Sequence, residues 1–85
     1  MLMPSVDVYL LFADEVPEAQ RSEFLTRLEG HLPPSMELMD RDRRALVRAS
    51  DADVYAALVA VQTRAVPIRD ALGLGDQVTW SLEPW

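Results

Sequence analysis

The apolar residues of this chain follow two kinds of spacing. In some segments they occupy every second position, as in a strand, and in others they follow helical spacing. The segments come in the order strand, helix, strand, strand, helix, strand. The first segment, residues 5–12, has one apolar face and a second face that still carries Tyr9 and Leu11. A strand that is apolar on both faces is typical of the middle of a sheet. Because the chain has only 85 residues, we predict one domain over residues 1–85 with a single core.

A first helix is predicted to begin near Pro17, which is tolerated in a first helical turn, and to stop at Gly30. Its apolar positions follow helical spacing: Phe24, Leu25, Leu28 and Leu32. Two short strands, 35–39 and 44–49, come next, and the polar residues 40–43 between them suit a hairpin turn. The last strand is predicted at 76–83, after Gly73 and Gly75.

The second helix is predicted to follow Ser50, which would cap it, with Asp53 at the spacing of a capping box. Pro67 should end or kink this helix near Ala65, leaving residues 67–72 as a turn or an angled continuation. The expected buried stripe is Val54, Leu58, Val61 and Ala65.

This order of elements resembles the ferredoxin-like (split βαβ) sandwich over nearly the whole chain, an α+β fold. The resemblance implies an antiparallel sheet in the strand order 4-1-3-2 with both helices on one face. It implies no activity, because this fold hosts many unrelated functions. The expected core on the helix side of the sheet comprises Val6, Val8, Leu10, Phe12, Met36, Leu38, Ala45, Val47, Val78, Trp80 and Leu82.

The sheet face away from the helices is expected to have an apolar centre and a charged rim. The register sets Asp7 across from Arg48, where the two can form an ion pair. A solvated face should be polar throughout, so the apolar centre favours a contact surface. The residues expected on this face are Asp7, Tyr9, Leu11, Glu37, Met39, Arg44, Leu46, Arg48, Gln77 and Thr79.

The second helix offers another apolar surface, because Tyr55, Ala56 and Val59 lie off its buried stripe. A helix that is apolar nearly all round is covered on more than one side. The predicted interaction residues are therefore Tyr9, Leu11, Met39, Arg44, Leu46 and Arg48 on the sheet, with Tyr55 and Val59 on the helix.

Composition limits the kinds of molecule that this chain is expected to bind. The formal charge of −6 argues against direct nucleic-acid binding, and all eight basic residues are arginine, a bias that suits a bacterial or phage gene. The absence of cysteine, of a signal peptide and of a long apolar span favours a cytoplasmic protein without membrane contact.

The sequence gives little support for a catalytic or metal-binding site. His31, the only histidine, lies at a helix end without a partner motif. The pairs Asp40/Asp42 and Asp51/Asp53 have the spacing of hard-cation ligands, but a solvated acidic end with Asp14, Glu15 and Asp76 explains the first pair. Helix-start electrostatics explain the second. We predict no catalytic residue, no cofactor and no metal, and Trp85 receives no assigned role.

The leading hypothesis is a small acidic protein-interaction module, that is, an adaptor, regulator or inhibitor. In one variant it docks on a basic, nucleic-acid-binding protein; a homodimer is another option. Two alternatives stay open. One is a small enzyme of the dimeric α/β-barrel kind, with Tyr9, His31, Arg44 and Arg48 as polar candidates. The other is a regulatory domain that senses a small molecule at a dimer interface, although its loop 13–16 lacks a glycine.

Overall fold

The computed structural model describes residues 5–41, 44–50 and 53–84. Its helices and strands follow the predicted order: β1 (Ser5–Phe12), α1 (Glu18–His31), β2 (Met36–Arg41), β3 (Arg44–Ser50), α2 (Val54–Ala71) and β4 (Val78–Ser81). A short 3-10 turn, Gly75–Gln77, comes directly before β4.

The four strands form one antiparallel sheet in the order β2-β3-β1-β4. This is the predicted order 4-1-3-2 counted from the other edge, and β1 lies in the middle as its two apolar faces indicated. Both helices pack on the same face of the sheet. The chain therefore has the ferredoxin-like βαββαβ fold, and that prediction is confirmed.

The core lies between the sheet and the two helices. The rings of Phe12 on β1 and Phe24 on α1 meet edge to face with centroids 5.4 Å apart, a favourable geometry for an aromatic pair. Every residue of the expected core is buried or packs against the buried cluster. The structure adds Val16 and Leu74, which come from loops, and Ala49 from β3. Each fully buried aliphatic side chain contributes about 1.5–3 kcal/mol.

The start of α2 differs from the prediction. Ser50 belongs to β3, where it pairs with Ser5 and its N–H donates to the carbonyl of Ser35 at 3.0 Å. The cap is Asp53, whose carboxylate accepts hydrogen bonds from the backbone N–H groups of Tyr55 and Ala56. Ser50 does not cap the helix because β3 extends through it and the helix begins only at Val54, four residues later.

The buried stripe of α2 lies nearly one turn further along than predicted. Val61 and Ala65 are buried and Leu58 is half-buried, but Val54 is 45% exposed. The residues that α2 buries are Ala57, Val61, Ala65 and Ile68. Two of these are alanines, whose small side chains let the helix approach the sheet closely.

Pro67 does not end α2. The helix continues to Ala71, although Pro67 has no N–H for the carbonyl of Thr63 and a proline inside a helix costs about 3 kcal/mol. Burial of Ile68, which is only 5% exposed, supplies stabilisation of similar size, about 1.5–3 kcal/mol. Packing of the last turn against the core therefore offsets the missing hydrogen bond.

Strand bounds also differ at the ends. Asp40 and Arg41 belong to β2 and not to a turn, whereas Asp42 and Arg43 lie outside the described residues. The last strand begins only at Val78 because Gly73 and Gly75 have positive φ angles of 68° and 54° and the chain turns once more before the sheet.

Candidate functional site

The sheet face opposite the helices, called here the open face, carries an apolar row across three strands. Tyr9 on β1 is paired with Leu46 on β3, and Leu46 is paired with Met39 on β2. All three side chains are half-buried, and Leu11, further along β1, is 54% exposed. Side chains alternate between the two faces of a strand, and α1 and α2 cover the opposite face, so neither of these two described helices covers the row.

An ion pair crosses the sheet beside this row. Asp7 and Arg48 are direct partners in the β1–β3 register, as predicted. Arg48 donates from Nε to Oδ1 of Asp7 at 2.8 Å and from Nη2 to Oδ2 at 3.1 Å. These hydrogen bonds lower the pKa of Asp7 below its ordinary value, and they raise the pKa of Arg48. Glu37, which is paired with Arg48 on the other side, also raises the pKa of Arg48.

The open face carries charged groups of both signs. Asp7 and Glu37 supply carboxylates, and Arg44 and Arg48 supply guanidinium groups. Arg41 is the β2 partner of Arg44 in the same register. Arginine is therefore well represented on this face, although the whole chain has a formal charge of −6.

The β4 side of the open face is hollow. Both β4 residues that point to this face, Thr79 and Ser81, have small side chains, whereas β2 and β3 present Met39, Leu46 and Arg44. A depression of about 220 Å³ lies there. Its lining residues are Tyr9, Leu11, Thr79, Trp80, Ser81, Glu83 and Pro84.

The two predicted interaction residues on α2 lie on a different surface. Tyr55 is 74% exposed and Val59 is 57% exposed, on the outer side of the helix layer. Of the eight predicted interaction residues, the structure thus brings six together on the open face and leaves these two apart from it.

The enzyme alternative loses one of its four polar candidates. His31 lies at the end of α1 in the helix layer, with Nδ1 2.7 Å from the carbonyl oxygen of Arg27. Tyr9, Arg44 and Arg48 lie on the open face, across the sheet from it. The structure therefore does not bring His31 to the other three residues.

One buried charge was not singled out in the sequence. Arg21 on α1 is only 3% exposed, and its guanidinium forms ion pairs with Asp40 on β2 and with Glu18. The same group lies 5.5 Å from the centre of the Phe12 ring. The sequence does contain a signal for this burial. Arg21 precedes Phe24, Leu25 and Leu28 at helical spacing and so continues their buried stripe.

The ion pair with Arg21 also explains part of the predicted acidic end, since Asp40 has a cationic partner within the chain. Asp14, Glu15 and Asp76 are exposed, whereas Asp42, Asp51 and Trp85 lie outside the described residues. Among the residues that the structure describes, no three His, Cys, Asp or Glu side chains are placed to hold a metal ion.

Within residues 5–41, 44–50 and 53–84, no helix combines the length and the apolar character needed to cross a membrane. Comparison of the chain with protein-family models, with curated proteins and with solved structures finds no significant match in any of the three. Function is therefore inferred from the fold and from the geometry of the open face.

Proposed function

We propose that this chain is a cytoplasmic protein-interaction module that binds a protein partner through its open face. The observation that carries the proposal is the row Tyr9–Leu46–Met39, which lies across the sheet on the face away from α1 and α2. Exposed Leu11 extends the same apolar surface along β1. Contiguous apolar surface of this kind on a small protein commonly marks a contact with another protein.

The residue types on the open face also favour this role. Tyrosine, methionine and arginine are enriched at protein interfaces, and the face presents Tyr9, Met39, Arg44 and Arg48. The Asp7–Arg48 ion pair at the rim is already formed within the chain. A partner therefore need not supply a counter-charge for either group, and binding leaves no new unpaired charge there.

The proposed class is an adaptor, a regulator or an inhibitor. The formal charge of −6 would speed encounter with a basic partner. A basic, nucleic-acid-binding protein is thus one variant of the proposal, in which the acidic charge of the chain steers the partner and the open face forms the contact.

The test is a pull-down from the native host with the wild type and three variants, each of which adds one negative charge. Leu46→Glu places the charge in the apolar row, Val59→Glu places it on the outer side of α2, and Thr26→Glu places it on exposed α1. We expect the bound proteins to be lost with Leu46→Glu and retained with Thr26→Glu. Circular dichroism confirms that each variant is folded.

The variants separate the two predicted surfaces. Loss with Val59→Glu and retention with Leu46→Glu would place the contact on α2 and not on the open face. If Leu46→Glu retains every protein that the wild type binds, including other copies of itself, the proposal is wrong.

A further inference from the structure

We infer that the occupant of the open face is a second copy of this chain, which binds face to face about a two-fold axis. This inference rests on the proposed interaction role and names its partner. The axis runs parallel to the strands, between β1 and β3, midway between the two facing sheets. It places β1 of each copy over β3 of the other, and β4 of each copy over β2 of the other.

Side-chain charge favours this axis. Rotation about it keeps each row at the same level, so Asp7 faces Arg48 of the second copy and Arg48 faces its Asp7. The two ion pairs then form a ring of four alternating charges. A two-fold axis perpendicular to the strands would instead bring Arg48 over Arg44, which lies one step beyond the Leu10–Ala45 pair. Like charges placed together in this way oppose binding.

Shape favours the same axis. The open face is hollow on the β4 side, where Thr79 and Ser81 are small, and carries the larger side chain of Met39 on the β2 side. Because the axis exchanges β2 and β4, Met39 of each copy faces the depression of about 220 Å³ beside Ser81 of the other. Tyr9 faces Leu46 of the other copy in the same row. A flexible methionine side chain is well suited to fill such a gap.

Packing geometry is compatible with this arrangement. Two antiparallel sheets commonly pack in an aligned orientation at about 10 Å separation.

The size of the face sets the expected affinity. Four strands about 4.8 Å apart with three rows of side chains give a contact of roughly 20 Å by 20 Å, about 400 Å² for each copy. The total of about 800 Å² is below the roughly 1,000 Å² that stable complexes exceed, so the contact can support only a weak, transient association. We therefore expect a weak dimer with a dissociation constant in the micromolar range.

Sedimentation velocity of the purified chain, from low micromolar to submillimolar concentration, tests the inference. We expect the wild type to change from a monomer to a dimer over this range. Leu46→Glu and Ser81→Trp should remain monomeric, the first because it places a charge in the apolar row and the second because it fills the depression. Val59→Glu, an equal change of charge on α2, should dimerise as the wild type does.

A double variant keeps the test independent of folding defects. In Ser81→Trp/Met39→Ser the large side chain lies on β4 and the small one on β2. The same axis then places the tryptophan at position 81 of one copy opposite the serine at position 39 of the other. We expect this variant to regain at least part of the dimerisation that Ser81→Trp loses.

Three results would overturn the inference: a wild type that is monomeric at every concentration, a dimer that Leu46→Glu leaves intact, or a double variant no better than Ser81→Trp alone. These results are distinguishable from failure of the proposed function. A monomeric wild type whose bound host proteins are lost with Leu46→Glu would retain the interaction role and exclude only the second copy as partner.

Discussion

The guanidinium of Arg48 donates hydrogen bonds to both carboxylate oxygens of Asp7, directly across the two central strands of the sheet. The contact joins residues that are 41 positions apart in sequence. Asp7 is the less exposed partner, with 23% of its side chain accessible against 43% for Arg48. The pair thus links β1 to β3 on the face that we propose as the interaction surface.

The first prediction concerns the pH dependence of stability. The pKa of Asp7 in the folded chain lies below its ordinary value of 3.8 because Arg48 hydrogen-bonds the charged form. The stabilisation is therefore complete above the ordinary pKa and is lost as the pH falls through the folded one. We expect Asp7→Asn to lower stability slightly at neutral pH and to match the wild type in strong acid, as measured by urea unfolding across pH.

Arg48→Met provides the control for this prediction, because it removes the hydrogen-bond donors and leaves Asp7 in place. In that background burial is the remaining influence on the pKa of Asp7 and raises it, so the loss of stability that Asp7→Asn causes at neutral pH should disappear or reverse. A difference between wild type and Asp7→Asn that stays constant from neutral pH to strong acid would contradict the assignment. Unfolding should be measured at low micromolar concentration, where self-association does not contribute.

The second prediction concerns the buried charge of Arg21. Removing Asp40 leaves a guanidinium that is almost fully buried with one remaining partner, Glu18, whereas removing Arg21 leaves two carboxylates that water already reaches. We expect Asp40→Ala to destabilise the fold by about 1–2 kcal/mol and Arg21→Met to stay within about 1 kcal/mol of the wild type. Chemical denaturation of both variants checks this order, and the reverse order would contradict it.

The third prediction concerns the cap of α2. Asp53 accepts hydrogen bonds from two backbone N–H groups at the start of the helix, and loss of such a cap costs about 0.5–2 kcal/mol. We expect Asp53→Ala to lower the free energy of unfolding by this amount. Ser50→Ala is the matched control and should cost less, since Ser50 lies in β3. Equal losses for the two variants would show that both residues cap the helix.

The fourth prediction concerns Pro67. Alanine at this position would supply the N–H that the carbonyl of Thr63 lacks, but it would also increase the entropy of the unfolded chain. Because the first effect is larger, we expect Pro67→Ala to raise the free energy of unfolding by about 1–2 kcal/mol. Pro34→Ala, outside the helices, should give no such gain. A thermal melt decides the sign, and destabilisation by Pro67→Ala would show that the proline fits the helix without strain.

The order of helices and strands followed from local patterns, and the strand pairing followed from the resemblance of that order to the ferredoxin-like fold. The alternation of residues 5–12 and the helical spacing of Phe24, Leu25 and Leu28 depend only on which side of an element meets the core. The Asp7–Arg48 pair followed in turn, because an antiparallel register fixes which residues face each other once the strands are placed. These features could therefore be predicted without coordinates.

Other features depend on atoms that are distant in sequence. The cap is Asp53 and not Ser50 because β3 extends through Ser50 and the helix begins only at Val54. Helix α2 passes through Pro67 because Ile68 is buried against the core. The Arg21 side chain is buried because Asp40 on β2 forms an ion pair with it.

The hollow on the β4 side of the open face depends on the packing of the sheet as a whole. The sequence by itself determined the order of the elements and the side of each strand that is apolar, since both are repeated over neighbouring residues. Only the tertiary structure decided which charges are paired, where the helices end and what shape the open face has. Each of these is set by a balance between contacts that join separate parts of the chain.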